Sequence, residues 1–255
     1  MAVSRPSSSI QAASSIDPAE VGRFAVIAPQ WWDSDGPFRP LHHLNPTRVE
    51  YVRDRLAAHF GRDINKPRPF AGLTLLDIGC GGGLMCEPLT RLGFTVTGID
   101  ADEAALAVAR DHAEGQDLEI EYRAATSEEL AGEAKRFDAV LALEVVEHTA
   151  DPALFLATTG TLVRPGGALV ASTINRTPKA YLMAIVGAEY VLRWLPRGTH
   201  DFKKFRRPSE LAAGVRGAGL TLEDMTGMVF DPLRDRWSLA PDLSVNYLLF
   251  ARKPN

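Results

Sequence analysis

The chain has 255 residues, of which 45% are hydrophobic and 24% charged, and its formal net charge is −4. This length and composition suit one sizeable α/β domain with a buried core and argue against a second full domain. The negative charge excludes the overall positive field of a general nucleic-acid-binding protein, so any basic patch must be local.

The N-terminal segment, residues 1–16, has the composition of a disordered tail. It is rich in Ser and Ala and has no apolar run long enough for a signal peptide. Residues 17–70 are expected to form N-terminal helices that flank the main domain. Two helix starts are predicted there, each with a capping residue followed by proline: Asp17-Pro18 and Asn45-Pro46.

Short apolar runs alternate with helical patterns from residue 73 onward. Strands are predicted near 73–79, 95–100, 119–125, 137–144 and 167–175, with helices between them. This order is typical of an α/β fold with a doubly wound, mostly parallel sheet. A helix beginning near Pro208 follows, and the segments 221–230 and 244–253 are then predicted to pair as an antiparallel edge.

An insertion, residues 176–207, separates the fifth strand from the next helix and is too long for an ordinary connection. It contains eight basic residues and two acidic ones, a local balance of +6. Its apolar stretch YLMAIVGAEYVLRWL has 15 residues, too few to span a bilayer. One hypothesis places this stretch in a membrane interface, with Tyr181, Tyr190 and Trp194 at headgroup depth and the basic run on anionic lipid. The alternative is an ordinary core or lid helix.

A glycine loop follows the first strand, in the string LLDIGCGGG at residues 75–83. Glycines such as Gly79 and Gly81 let the backbone approach a ligand, and the following helix offers free N–H groups. Asp100 ends the next strand, where a carboxylate can accept hydrogen bonds from ribose hydroxyls. An NAD-dependent enzyme shares these features, but its GxGxxG pattern needs a glycine where this chain has Leu84.

The string EVVEH, residues 144–148, ends the fourth strand, where a parallel sheet faces its ligand crevice. Glu144, Glu147 and His148 could hold a divalent cation that leaves a position open for a substrate oxygen. Alternatively, His148 acts alone as a general base, or these residues only shape the loop. Leu143 is a candidate floor for an adenine ring.

The GxGxG form of the loop resembles that of class I S-adenosylmethionine methyltransferases. Longer segments resemble the ubiquinone-biosynthesis O-methyltransferase family: RFAVIAPQWWDSDGPFRPLHHLNPTRVEYV, EVVEH and INRTPKAYLMAIVGAEYVLRWLPRGTHDFKKFRRP. The resemblance implies one methyltransferase domain over 17–255, with a seven-stranded Rossmann-like sheet whose last strand is antiparallel. It also implies methyl transfer from S-adenosyl-L-methionine to the phenolic hydroxyls of polyprenylated ubiquinone precursors, 2-polyprenyl-6-hydroxyphenol and 3-demethylubiquinol.

The resemblance also implies roles for individual residues. Together with Gly81 of the loop, the expected cofactor contacts are Arg48, Gly79, Asp100 and Leu143. The expected ligands of a divalent metal such as Mg²⁺ are Glu144, Glu147 and His148, and His148 and Glu144 are the expected catalytic residues. His200 is a reserve candidate. Packing or lid roles are expected for Trp31, Trp32, His42 and His43.

Several other functions remain as alternatives. They are methylation of another small phenol or catechol, RNA methylation through the KKFRR string, and a non-catalytic lipid-surface role. The acidic remainder of the chain argues against RNA, so we expect no nucleic-acid partner. We expect a cytoplasmic protein, peripheral on the inner face of the cell membrane, in a possible complex with other ubiquinone-pathway enzymes. The cysteines, Cys80 and Cys86, fit a reducing compartment, and Cys80 is expected to be a buried filler.

Overall fold

The computed structural model describes residues 14–17, 22, 26–183 and 201–255. Its strands are β1 (Thr74–Ile78), β2 (Thr95–Asp100), β3 (Glu121–Ala124), β4 (Phe137–Leu143), β5 (Val163–Ile174), β6 (Thr221–Asp231), β7 (Arg236–Ala240) and β8 (Asn246–Arg252). They form one eight-stranded sheet in the order β3-β2-β1-β4-β5-β8-β6-β7. The pairs from β3 to β5 are parallel, and the pairs beyond β5 are antiparallel.

The α-helices of the described chain lie between these strands and before the first one. They are α1 (Arg39–Phe60), α2 (Cys86–Arg91), α3 (Glu103–Glu114), α4 (Ser127–Gly132), α5 (Pro152–Leu162) and α6 (Pro208–Gly217). Short helical turns occupy Ala28–Gln30, Val146–His148, Pro178–Ala180 and Phe202–Lys204. Carboxylates begin two of the helices: Asp102 accepts the N–H of Ala104 in α3, and Asp151 accepts two N–H groups in α5.

The five predicted parallel strands are confirmed, and their burial explains why they could be predicted. Every residue of β4 is buried. Its alternate side chains enter two apolar clusters, Leu141 on the face covered by α1, α2 and α3 and Val140 on the opposite face. A strand covered by helices on both faces needs apolar residues throughout, which is the pattern that the sequence shows.

The antiparallel edge is also confirmed, with one strand more than predicted. β8 pairs with β5 on one side and β6 on the other. β7 pairs with β6 alone, so the sheet has eight strands and not seven. The side chains of β7 are exposed or only partly buried. Its sequence, RWSLA, therefore lacks the apolar run by which the interior strands were recognised.

The predicted helix start at Asn45-Pro46 is wrong. α1 begins at Arg39, has a proline in its first turn, and contains Pro46 in its interior. Asn45 does not cap a helix, because its side-chain amide donates to the carbonyl of Leu84, 2.8 Å away. The other predicted helix start, Asp17-Pro18, extends outside the described residues.

The disordered tail predicted for residues 1–16 extends too far, because its last residues contact the folded domain. Ser15 is buried, its N–H donates to the Glu128 carboxylate, and its carbonyl accepts the N–H of Ala150. Ile16 forms a β-bridge with Thr149. Residues 14–16 therefore belong to the folded domain, and residues 1–13 lie outside the described part of the chain.

The insertion is described only at its two ends, since residues 184–200 lie outside the described part. The predictions for Tyr190, Trp194 and His200 fall on those residues. At the near end, Tyr181, Leu182 and Met183 are exposed large apolar side chains. No helix within the described residues is long and apolar enough to cross a membrane.

Candidate functional site

A cavity of about 290 Å³ opens at the carboxyl ends of β1, β2 and β4. This is the edge of a parallel α/β sheet at which ligands are bound. The cavity is lined by all eight residues that the sequence assigned to a site: Arg48, Gly79, Gly81, Asp100, Leu143, Glu144, Glu147 and His148. The structure thus brings them together, although their individual roles remain predictions.

The glycine loop forms the floor of the cavity and is fixed to the end of β2. The N–H groups of Gly79 and Cys80 donate to the carbonyl of Ile99. Gly79 has a φ of +70°, and a Cβ added there would lie 2.6 Å from Cγ2 of Val145. Both the conformation and the close approach require glycine at this position.

Asp100 is the last residue of β2, and its carboxylate is hydrogen-bonded to the glycine loop. One carboxylate oxygen accepts the N–H of Gly81 at 2.9 Å, and the other accepts the N–H of Asp102 at 2.9 Å. The pKa of Asp100 is raised, because the effect of burial outweighs that of these two backbone donors, which lower it. Each oxygen keeps a further lone pair for a ligand, so the arrangement fits the predicted acceptor of ribose hydroxyls.

Arg48 is buried in α1 and does not project into solvent as most helical arginines do. One of its terminal nitrogens lies 3.5 Å from the Glu144 carboxylate, which is too far for a good hydrogen bond. Its Nε and this same Nη2 have no hydrogen-bond partner. A buried guanidinium with unused donors calls for an anionic ligand, in agreement with the predicted contact to a cofactor carboxylate.

Glu144 stands at a strained turn directly after β4. Its φ is +56°, in the left-handed region that non-glycine residues rarely adopt. The backbone is held there by Ser172, whose carbonyl and hydroxyl both accept the N–H of Glu144. The Ser172 hydroxyl also lies 2.7 Å from the Glu144 carboxylate. Strain of this kind persists where the surroundings enforce it, as they often do at ligand sites.

Glu147 points into the protein and is 3% exposed. One carboxylate oxygen accepts the hydroxyl of Thr173 at 2.8 Å, and the other is buried without a partner. Burial, and to a smaller degree the nearby charge of Glu144, raises the pKa of Glu147 well above its usual range.

The structure does not assemble the predicted metal ligands Glu144, Glu147 and His148 as a site for Mg²⁺. Among the described residues, no group of three His, Cys, Asp or Glu side chains is placed to hold a metal ion. Glu144 faces the Arg48 guanidinium, and Glu147 is turned toward Thr173. A dication would have to compete with a fixed positive charge, so this donor set does not fit the ion.

His148 ends the helical turn Val146–His148 and lies partly exposed on the cavity wall. Its backbone N–H donates to the carbonyl of Val145, which fixes the turn. The imidazole therefore stands beside the cavity without belonging to a metal cluster. This position suits the predicted role as a proton acceptor.

Of the four aromatic and histidine residues expected to pack or form a lid, the structure brings Trp31, Trp32 and His42 together and places His43 apart. Trp31 lines the cavity. Trp32 stacks on His112 at 3.5 Å between ring centroids, and His42 contacts the carbonyl of Trp31. His43 lies outside this group, 3.9 Å from the Asp235 carboxylate.

Ser172 and Thr173 were missed by the sequence analysis, although both bind carboxylates of the site. A signal was present, because they stand near the carboxyl end of β5, and Ser172 is in register with Leu143. Polar residues at the end of a buried parallel strand face the same crevice as those of its neighbour.

Asp77 is a buried acid under the glycine loop, and its carboxylate accepts the thiol of Cys86 at 3.3 Å. Burial raises the pKa of Asp77 to about 7. It also raises the pKa of both thiols, so Cys80 is the buried filler that was predicted.

We therefore expect Asp77 to make the ligand-free protein lose stability as pH rises. The unfolded carboxyl titrates near pH ~4 and the folded one near pH 7, so the folded state is favoured below this window and penalised above it. The loss amounts to as much as ~4 kcal/mol, at ~1.4 kcal/mol per pKa unit. Urea unfolding at pH 5 and pH 8 should show a smaller fall for Asp77→Asn than for the parent. An equal fall in both would contradict this account, and the exposed Asp111→Asn serves as the matched control.

Comparison with known proteins identifies the family. A methyltransferase domain family matches residues 76–171. The ubiquinone biosynthesis O-methyltransferase of Mesorhizobium japonicum is 54% identical over 240 residues, which cover 94% of this chain and 96% of that protein. The protein of the same name from Brucella anthropi is 53% identical over 95% of this chain and 98% of its own length.

Solved structures agree in fold. A methyltransferase from Thermotoga maritima, described as a possible histamine N-methyltransferase, has a TM-score of 0.60 and 16% identity, covering 92% of this chain and 98% of that one. Magnesium protoporphyrin IX methyltransferase from Synechocystis, with bound SAH, has a TM-score of 0.57 and 16% identity, covering 83% and 85%. Since the near relatives match almost end to end, the chain belongs to the ubiquinone biosynthesis O-methyltransferase family and is an S-adenosylmethionine-dependent methyltransferase.

Proposed function

We propose that this enzyme methylates phenolic hydroxyls of polyprenylated ubiquinone precursors, with 2-polyprenyl-6-hydroxyphenol and 3-demethylubiquinol as the two substrates. The relatives' shared name supports the pathway. The observation that carries the chemistry is that the groups expected to bind the nucleoside and His148 line one cavity. A donor of a methyl group and a ring hydroxyl can therefore be held side by side.

The cofactor supplies an electrophilic methyl group on sulfur. Asp100 would hold its ribose, Leu143 would support its adenine, and Arg48 would bind its carboxylate. The glycine loop, including Gly79 and Gly81, lines the cavity in which the chain between ribose and carboxylate would lie. Asp100 and the glycine loop are already connected before binding, since Asp100 accepts the N–H of Gly81. Little rearrangement is then needed to orient the reactants.

The protein must also remove the phenolic proton. A phenol like that of tyrosine has a pKa of about 10, so a neutral phenol is a poor nucleophile at pH 7. His148 would accept this proton, and both His148 and Glu144 line the cavity. No step is assigned to Mg²⁺, because the two carboxylates expected to bind it are directed elsewhere: Glu144 bonds to Ser172 and faces Arg48, and Glu147 bonds to Thr173.

We also propose that the insertion places the protein on an anionic lipid surface at the inner face of the cell membrane. Tyr181, Leu182 and Met183 are 47%, 61% and 43% exposed, an unusual run of apolar surface at its described end. A polyprenyl substrate is confined to the bilayer, so access from its surface is needed. A complex with other enzymes of the pathway would share this location.

Replacing Tyr181, Leu182 and Met183 together by serine should reduce co-sedimentation with vesicles of phosphatidylglycerol and phosphatidylethanolamine several-fold. The matched control is Leu233→Ser, because Leu233 is 96% exposed but lies between β6 and β7. If the triple variant and the control bind the vesicles as the parent does, the insertion is not the lipid contact.

The substrate assignment is tested with labelled S-adenosylmethionine and four acceptors. These are short-chain analogues of the two proposed substrates, an unprenylated catechol, and transfer RNA. We expect kcat/KM at least 100-fold higher for the prenylated rings than for the catechol, since each buried CH₂ contributes about 0.8 kcal/mol. Equal rates would favour the alternative of a general small-phenol methyltransferase, and transfer to RNA would contradict both.

A further inference from the structure

Trp31 lies flat against the glycine loop, although it is 50 residues away in the chain from Gly81. A Cβ added to Gly82 would be 2.6 Å from Cγ of Trp31, and one added to Gly81 would collide with the six-membered ring. The indole thus covers both glycines and lines the cavity. Trp31 thus lines the same cavity as Asp100 and Arg48, the residues expected to hold the two ends of the cofactor.

The indole N–H of Trp31 is buried and has no hydrogen-bond partner. Buried tryptophan N–H groups usually have one, because an unpaired donor in the interior is unfavourable. Within the described part of the chain, the cavity-lining nitrogens that are buried without a partner belong to two residues, Trp31 and Arg48. Unused donors on two residues that line one cavity indicate a ligand with an acceptor group.

We propose that Trp31 is a second cofactor-binding donor, whose indole N–H binds the methionine carboxylate of S-adenosylmethionine together with Arg48. The carboxylate is the anionic group of this cofactor, and only an acceptor can satisfy an N–H donor. The ammonium group carries no free lone pair, and the ribose hydroxyls would be bound by the acceptor Asp100.

The segment around Trp31 is held in place without a ligand. The Trp31 ring stacks on Phe38 at 3.8 Å between centroids with planes 10° apart, and its carbonyl contacts Nε2 of His42 at 2.7 Å. The next residue, Trp32, donates its own indole N–H to the carbonyl of Gly82 at 3.0 Å. The donor of Trp31 is therefore pre-positioned, which reduces the ordering required on binding.

The test is Trp31→Phe, which keeps an aromatic ring and removes the N–H. Calorimetric titration would compare S-adenosylhomocysteine with 5′-methylthioadenosine, a nucleoside thioether that lacks the carboxylate and the ammonium. We expect the Kd of S-adenosylhomocysteine to rise about tenfold, as for one charge-assisted hydrogen bond, and the Kd of 5′-methylthioadenosine to change less than twofold. The matched control is Trp32→Phe, which removes a structural N–H and should affect both ligands equally.

Two results would overturn the proposal. An equal change, or none, for both ligands in Trp31→Phe would show that the ring only packs. A loss for S-adenosylmethionine without a loss for S-adenosylhomocysteine would point to the sulfonium and not the carboxylate. Should the variant fail to fold, the proposal is tested on the parent protein, by following the indole ¹⁵N–¹H resonance of Trp31 as each ligand is added. It should move downfield with S-adenosylhomocysteine and stay in place with 5′-methylthioadenosine, and a shift common to both ligands contradicts the assignment.

Discussion

Asp100→Ala should weaken binding of S-adenosylhomocysteine by at least about 100-fold, because two charge-assisted hydrogen bonds to ribose are lost at ~1.5–3 kcal/mol each. The same change releases the N–H of Gly81 from its acceptor and so loosens the glycine loop. Asp100→Asn keeps an acceptor oxygen without the charge, and its Kd should lie between those of the parent and the alanine variant. Calorimetric titration measures all three.

The matched control for Asp100 is Asp151→Ala. Asp151 also accepts backbone N–H groups at the start of a helix, but it is exposed and does not line the cavity. Its loss should cost about 1 kcal/mol of stability, as for other helix caps, and leave the Kd unchanged. If Asp100→Ala binds the ligand as tightly as Asp151→Ala does, Asp100 is a structural residue and the ribose is held elsewhere.

Interior strands could be predicted because a strand that is buried on both faces has a continuous run of apolar residues in the sequence, as in β4. The edge strand β7 could not, since its half-exposed sequence is compatible with a loop. The start of α1 was misplaced for a different reason. Pro46 looks like a first-turn residue, but α1 already has a proline in its first turn and includes Pro46 in its interior. Local signals do not reveal which of two competing starts the tertiary contacts favour.

The site could be predicted where its residues adjoin the carboxyl ends of strands, as do Gly79, Asp100 and Glu144, because the fold brings those ends to one edge. It could not be predicted where a contact joins distant segments. Trp31 meets the glycine loop across 50 residues of sequence, and no local pattern marks that contact. The metal prediction failed on side-chain direction, since the two glutamates of EVVEH, three positions apart, point to different partners: Glu147 to Thr173 and Glu144 toward Arg48.

His148→Ala should lower kcat by roughly 10²- to 10⁴-fold, the range of a general base, while leaving the affinity for S-adenosylhomocysteine unchanged. The reason is that different segments of the chain supply the expected cofactor contacts and the expected base. The donors and acceptors that would hold the cofactor come from α1 and the segment before it, the glycine loop and the end of β2. His148 comes from the helical turn after β4, whose backbone is fixed by its own N–H to Val145. Removing the imidazole should therefore slow proton removal and leave nucleoside binding unchanged.

Single-turnover methyl transfer with saturating cofactor measures this effect, with His43→Ala as the control because His43 lies by Asp235 and does not line the cavity. A more acidic phenol distinguishes the two ways in which His148 could act. If His148 accepts the proton, a nitro-substituted ring that is already ionised at pH 7 should be methylated by His148→Ala within about tenfold of the parent rate. If the variant is equally slow with both rings, His148 orients the substrate, and proton removal must be assigned to another group.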